Sequence, residues 1–241
     1  LKASGAMDSF YFYGGELLTT HTTATTFNIL GYVSGPASIR NDGSNGSGAV
    51  ATFAQQIQAT SAGAQTLTLS GAYGITLSGG LYNSTGTLWF VVNNTATTTI
   101  SGTANSFTGT TTVNAGTLSV VSGGTSGSTS LSTSAITLAG GALLGNTTGR
   151  TIGNAITLAA GANEIAAATG ASVTFSGIIS GAGTGTLTVG DSTNNGTVTF
   201  AGANTYTGGT TVAVGTLKVG HATALGANTS SVSVTSGAVL D

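Results

Sequence analysis

Residues 202–220 read GANTYTGGTTVAVGTLKVG. Short Thr/Val/Leu segments are separated by glycine pairs or single glycines, which gives strand, tight turn, strand, tight turn, strand. Glycine supplies the positive φ angles that tight corners need. β-branched residues fill the segments between, as strands favour. A second copy lies upstream at residues 102–121, GTANSFTGTTTVNAGTLSVV. Phe107 stands where Tyr206 stands, Gly109 where Gly208 stands, and Gly116-Thr117-Leu118 where Gly215-Thr216-Leu217 stands, 99 residues on, with one extra residue near Thr103 in the upstream copy. Repetition at a fixed period is the signature of stacked architectures.

The pattern G-x-N-T-Y-T-G-G-T-T-V-x-x-G-T-L-x-V resembles the autotransporter-associated β-strand repeat of large secreted bacterial surface proteins. The residues that carry the resemblance are Gly202, Asn204, Tyr206, Gly208, Gly215 and Leu217, and upstream Gly102, Asn105, Phe107, Gly109, Gly116 and Leu118. The upstream copy departs from the pattern at Ser106, Phe107 and Thr110. The two copies cover under a fifth of the chain. The resemblance implies a passenger-type β-solenoid and export to the cell surface or beyond. It implies no catalytic residue, because the motif contains none.

The similarity extends beyond the motif. Shifted by 99, Phe53 falls on Ile152 and Ile57 on Ile156; shifted by 98, Leu67 falls on Ile165, Ile75 on Val173 and Leu77 on Phe175. The long repeat spans about residues 50–121 and 148–220. Residues 49–62 have helical spacing at Val50, Phe53 and Ile57, yet the repeat makes them strand. Segments such as Thr66-Leu67-Thr68-Leu69, Ile136-Thr137-Leu138, Ile156-Thr157-Leu158 and Val198-Thr199-Phe200 alternate apolar with Thr, placing one row inside and one outside. Near-equivalent copies, no helical crossovers and small residues at the corners predict an all-β fold, a right-handed parallel β-helix or solenoid, over a sandwich or barrel.

Composition sets limits on function. Charged residues are 4% of the 241-residue chain, against about 25% in ordinary globular domains. Apolar residues at 39% and a net charge of −2 argue against disorder. The cations are Lys2, Arg40, Arg150 and Lys218, far apart in sequence, so no nucleic-acid partner is expected. No apolar run reaches the roughly 18 residues of a spanning helix, so no membrane insertion by this segment is expected. Cysteine is absent, which removes disulfides and thiolate metal sites. The first residues carry no initiator Met or signal peptide and the last stop inside a repeat, which suggests a processed chain or a fragment.

The expected organisation has four parts. Residues 1–35 hold Phe10, Tyr11, Phe12, Tyr13, Phe27 and Tyr32 and read as a cap or docking segment, with an aromatic recognition surface for sugar or a partner as the alternative. Residues 36–121 carry the first long repeat, beginning with a turn-rich loop over 36–48. Residues 122–220 carry the second. Residues 221–241 begin a further coil and offer an end for stacking.

The chemistry-bearing residues are sparse. His21 with Asp8 and Ser9, and His221 at a repeat edge, read as turn or surface histidines rather than members of a catalytic constellation. The acids are Asp8, Glu16, Asp42, Glu164, Asp191 and Asp241; Arg40 and Asp42 read as a solvated pair, and no two acids fall at neighbouring-coil spacing. Asp191 alone makes no calcium repeat. Runs such as residues 122–127 are not phosphate loops. No catalytic, cofactor or metal residue is therefore assigned, and no enzyme is expected. Thr97-Thr98-Thr99, Thr110-Thr111-Thr112 and Thr210-Thr211 could form outward hydroxyl ladders, as on ice-binding solenoids, although strand propensity explains them without a ligand. The expectation is an extracellular structural rod or filament whose partner is itself, end to end, or another surface protein. An adhesin passenger that binds glycans or proteins is the alternative.

Overall fold

Alternating apolar and hydroxyl side chains, interrupted every few residues by glycine, wind this chain into a parallel β-solenoid. The computed structural model describes residues 9–43, 49–102, 105–121, 131–181, 185–227 and 230–241. Among these, every strand pairing is parallel and there is no helix. Each coil runs one segment, in most cases a strand, along each of three faces, and successive coils stack.

The second face is an eight-stranded sheet from Gly15–Thr19 to Ile179–Ser180; the third is a ten-stranded sheet from Thr25–Phe27 to Val232–Val234. The first face is built in two pieces. Four strands from Ser9–Phe12 to Leu81–Asn83 form one, and five from Arg150–Ile152 to Val239–Leu240 form the other. Both lie between the third face and the second along the chain.

Inward residues stack in columns that form one continuous core. Ile39, Leu69, Val92, Val113, Leu138 and Leu158 are all buried on the second face, and Leu118, Leu143, Ile165, Val189 and Val212 on the third. Removing a Leu or Ile side chain from water is worth about 1.5–3 kcal/mol, so columns of this length offset the entropy of many short strands. At the first coil, inward aromatics close the column. Phe10 meets Phe12 edge-on at 4.8 Å, and Phe27 stacks on Phe53 at 4.9 Å. At the last coil the inward residues Val232, Val234 and Leu240 stay 38–45% exposed.

Residues 49–62 are strand, as the repeat implies: Ala51–Phe53 and Ile57–Ala59 lie on different faces with a corner between. One expectation fails. The run 36–48 is not wholly loop, because Ala37–Asn41 is a strand paired to Gly15–Thr19 and Ala64–Gly71. Its alternation is complete, with Ala37, Ile39 and Asn41 inward, but Arg40 and the neighbouring turn residues disguised it.

Candidate functional site

The two motif copies make the same local structure on different faces. In the upstream copy, residues 105–107 run along the first face, where Ser106 N–H donates to Leu81 O at 3.0 Å; Thr111–Val113 then takes the second face and Thr117–Val120 the third. In the downstream copy, Thr205 N–H donates to Ile179 O at 2.9 Å on the second face; Thr210–Val212 takes the third and Thr216–Val219 the first. An offset of 99 residues is thus four coils plus one face. The same advance holds elsewhere: Ile57 lies on the first face and Ile156 on the second, Leu67 on the second and Ile165 on the third.

Each motif residue has a mechanical role. Asn105 Oδ1 accepts from Leu81 N–H at 2.6 Å, and Asn204 Oδ1 accepts from Ile179 N–H at 2.8 Å. Asn204 Nδ2 also donates to Ala224 O at 2.6 Å, so one side chain ties three coils together. Asn105 Nδ2 donates to Gly102 O within its own corner. Tyr206 and Phe107 are buried core residues, as are Leu118 and Leu217. Gly116 and Gly215 sit at φ +62° and +77°, a conformation side chains disfavour. Gly109 and Gly208 allow close approach, since a Cβ would fall 2.2 Å from Leu88 O and 1.7 Å from Gly185 O respectively. Gly102 and Gly202 pack against the glycines of the preceding coil, Gly80 and Gly177. The extra residue near Thr103, and the 122–127 run, lie outside the described residues.

Buried amides beyond the motif do similar work. Asn41 Nδ2 donates to Ala49 O and Gly74 O, Asn94 Nδ2 donates to Tyr73 O, and Asn163 Oδ1 accepts from Gly140 N–H. All three are at most 1% exposed. Sequence reading missed them; the available signal was an Asn at an inward strand position, where the alternation calls for an apolar residue.

Among the described residues, acids meet another charged or titratable side chain in three places. Arg40 bridges Glu16 on the coil below, at 3.3 Å, and Asp42 just past its own strand, at 2.5 Å; the hydrogen bond to Asp42, then the charges of Asp42 and Glu16, push the guanidinium above its usual value. This pair is open to solvent as expected, though it recruits Glu16 as well. Lys218 meets Asp241 at 3.0 Å, also in solvent. His221 is exposed and its Nδ1 accepts from Thr223 N–H. His21 lies 5.5 Å from the Phe27 ring with its Nε2 buried and without a hydrogen-bond partner.

The third place corrects the sequence reading that no two acids meet across coils. Glu164, on Gly161–Ala167 of the third face, lies near Asp191 in the turn after the next strand of that face, with its Oε1 buried and without a hydrogen-bond partner. Two carboxyls this near each other favour a proton on one of them, because like charges repel. Burial, then the neighbouring Asp191 carboxyl, push Glu164 up to about 7. Burial works against Asp191 too, but Asn194 and Thr193 outweigh it and hold that carboxyl well below the usual range. Thr193 N–H, Thr193 Oγ1 and Asn194 N–H donate to its Oδ1, and Asn194 Nδ2 to its Oδ2. Glu164 also edges a shallow groove of about 330 Å³ floored by Gly116, Gly140 and Gly141.

The threonine runs are only partly outward. Thr98, Thr111 and Thr210 point into the core. Outward hydroxyls form files of one per coil instead, such as Thr26, Thr52, Thr76 and Thr99 on the third face, and Thr112, Thr137, Thr157 and Ser180 on the second. No group of three or more His, Cys, Asp or Glu that could hold a metal occurs among the described residues.

Residues 90–120 and 193–219 match the family model described as passenger-associated-transport-repeat. No curated protein and no solved structure matches the chain. The matched segments hold the motif from Gly102 to Leu118 and from Gly202 to Leu217, so the chain is a β-solenoid in which two segments are similar to a passenger-associated repeat.

Proposed function

We propose that this chain is a non-catalytic structural rod of a secreted or surface-attached protein. The repeat implies export, and the observation that supports the rod is the unbroken inward column running through every described coil. Parallel strands stack about 4.8 Å apart, so the ten strands of the third face span roughly 45 Å. Glu164 and Asp191 belong to no group of three or more His, Cys, Asp or Glu among the described residues, and the hydrogen bonds of Asp191 go to Thr193 and Asn194 in its own turn.

Its partner in this reading is a second copy. The exposed inward residues Val232, Val234 and Leu240 and the unpaired edge of Val232–Val234 match in kind the Thr25–Phe27 edge at the other end of the same sheet. Head-to-tail addition would continue that sheet and cover both rows. Small-angle scattering and negative-stain imaging test both parts. The expected particle is elongated, lengthens with concentration, and stops lengthening in a Val234→Asp variant. A globular particle sinks the rod; a rod that stays monomeric at high concentration sinks the stacking.

A further inference from the structure

We propose that Trp89, with Asn83, Thr108 and Thr66 around it, is a binding site for a neutral saccharide. Trp89 is the chain's single tryptophan, and it points outward from Thr87–Asn94 on the second face, 43% exposed. The neighbouring outward file of that face, two residues along at Val91, is otherwise hydroxylic: Ser38, Thr68, Thr112, Thr137 and Thr157 stand in it. Strand propensity and solubility explain those residues. They do not explain a large aromatic surface left half in water.

The indole is held, not loose. Its Cδ1 sits 2.3 Å from where a Cβ on residue 109 would fall, so the ring closes over Gly109 on the coil above. Below it in register is Thr66. At the corner leading into this strand, Asn83 Oδ1 accepts from Leu88 N–H at 2.8 Å and its Nδ2 donates to Thr108 Oγ1 at 2.7 Å. That bond fixes the amide and uses one of its two N–H groups. The second N–H and the exposed Thr108 hydroxyl proton stay available to a ligand.

Charge decides the class of ligand. From Gly43 to Gly149 the sequence contains no Asp, Glu, Lys or Arg. On this face the charged residues Glu16 and Arg40 lie on the first two strands, two or more coils from the Trp89 strand, and Arg40 is paired with Glu16 and Asp42, so anionic glycans and nucleic acids have no free cation to hold there. What remains is an apolar ring face flanked by neutral donors and acceptors. A neutral sugar matches this, with a C–H face to lay on the indole and hydroxyls to reach the amide and threonines. The proposal deepens the surface-rod reading and rests on it only for where such a ligand would be encountered.

The test uses the full chain. Tryptophan fluorescence is titrated with neutral gluco-, galacto- and N-acetylglucosamine oligosaccharides and with a sulfated oligosaccharide, and binding is repeated by calorimetry in Trp89→Ala, Trp89→Phe and Asn83→Ala. The expected result is a saturable shift with at least one neutral oligosaccharide and none with the sulfated one. Trp89→Ala should weaken binding tenfold or more, Trp89→Phe less, with the melting temperature of Trp89→Phe close to that of the parent. Silence with every neutral oligosaccharide overturns the site, as does binding that survives Trp89→Ala, or a response confined to the sulfated sugar. Scattering reports on the rod separately, so a globular particle that still binds sugar would sink the rod and leave the site standing.

Discussion

Tyr206 and Phe107 occupy the same motif position and differ by one oxygen atom, and the core around each shows the difference. Tyr206 Oη shares a buried hydrogen bond with Thr210 Oγ1 at 2.7 Å. In the upstream copy the partner threonine, Thr111, is still present and fully buried, but Phe107 offers nothing and Thr111 Oγ1 has no partner. A buried hydroxyl left unpaired costs about 1–3 kcal/mol. Tyr206→Phe should therefore destabilise by about 1–2 kcal/mol, and Thr111→Val should stabilise, as measured by denaturant melts. If Tyr206→Phe left the midpoint unmoved, the hydroxyl pair would carry no weight. Asn204→Ala is the harsher change, since it orphans Ile179 N–H and Ala224 O together. The expected loss is about 2–4 kcal/mol, and Asn204→Asp should not recover it, because a carboxylate cannot donate to Ala224 O. The motif's residue types were plain in the sequence. Their roles were not, because an amide that bridges coils needs the coil spacing before its partners can be named.

At the scale of strands and corners, alternation made most elements legible. Segments such as Ile136–Leu138 and Ile156–Leu158 stand where the pattern puts them. Ala142–Gly145 and Gly161–Ala167 did not announce themselves, because outward Leu144 and Ala166 are apolar and buried and so erase the period of two. Glu164 sits in the second of these strands, which is why its meeting with Asp191 was invisible. That meeting makes stability depend on pH. Glu164 is raised from its ordinary 4.5 to about 7, so between those values the folded chain keeps a proton that the unfolded chain releases. Its contribution is fully present below pH 4.5 and is lost as pH rises to about 7. Asp191, held low, acts in the opposite sense and loses its contribution only in stronger acid. Discounted for the half-open site, the Glu164 effect is about 1 kcal/mol, or roughly 2–4 °C in a chain of this size. Melting temperature should fall by that amount from pH 5 to pH 8, and Glu164→Gln should flatten the slope. A parent chain with no slope in that window would mean that burial beside Asp191 does not keep Glu164 protonated.

For the whole molecule, the deciding property is that the repeat in sequence and the repeat in space differ. Similar segments 99 residues apart lie one face apart, so the motif encodes a strand-corner-strand piece without naming the face it will occupy. The face is set by stacking on the coil before. Solenoid architecture follows from the pattern; the phase between motif and face does not, because coil length varies at the corners. Register steps along the second face run from Thr111 to Ile136 to Ile156 to Ile179, intervals that are unequal although the strands align. A chain held together mainly by neighbouring coils should then tolerate loss of one complete coil. Excising residues 136–155 removes one strand from each face and joins the chain so that Ile156 inherits the place of Ile136 over Thr111. The shortened chain should keep its β-sheet circular dichroism and a cooperative melt, and should be shorter along the axis by about 4.8 Å. The contacts at risk are the amide bonds of Asn154 to Ser132 O and Ser134 O, which the excision removes with that coil. A modest drop in melting temperature is expected from their loss. If the excised chain instead failed to fold, stability would depend on contacts reaching beyond adjacent coils, and the column would have to be regarded as a single cooperative body.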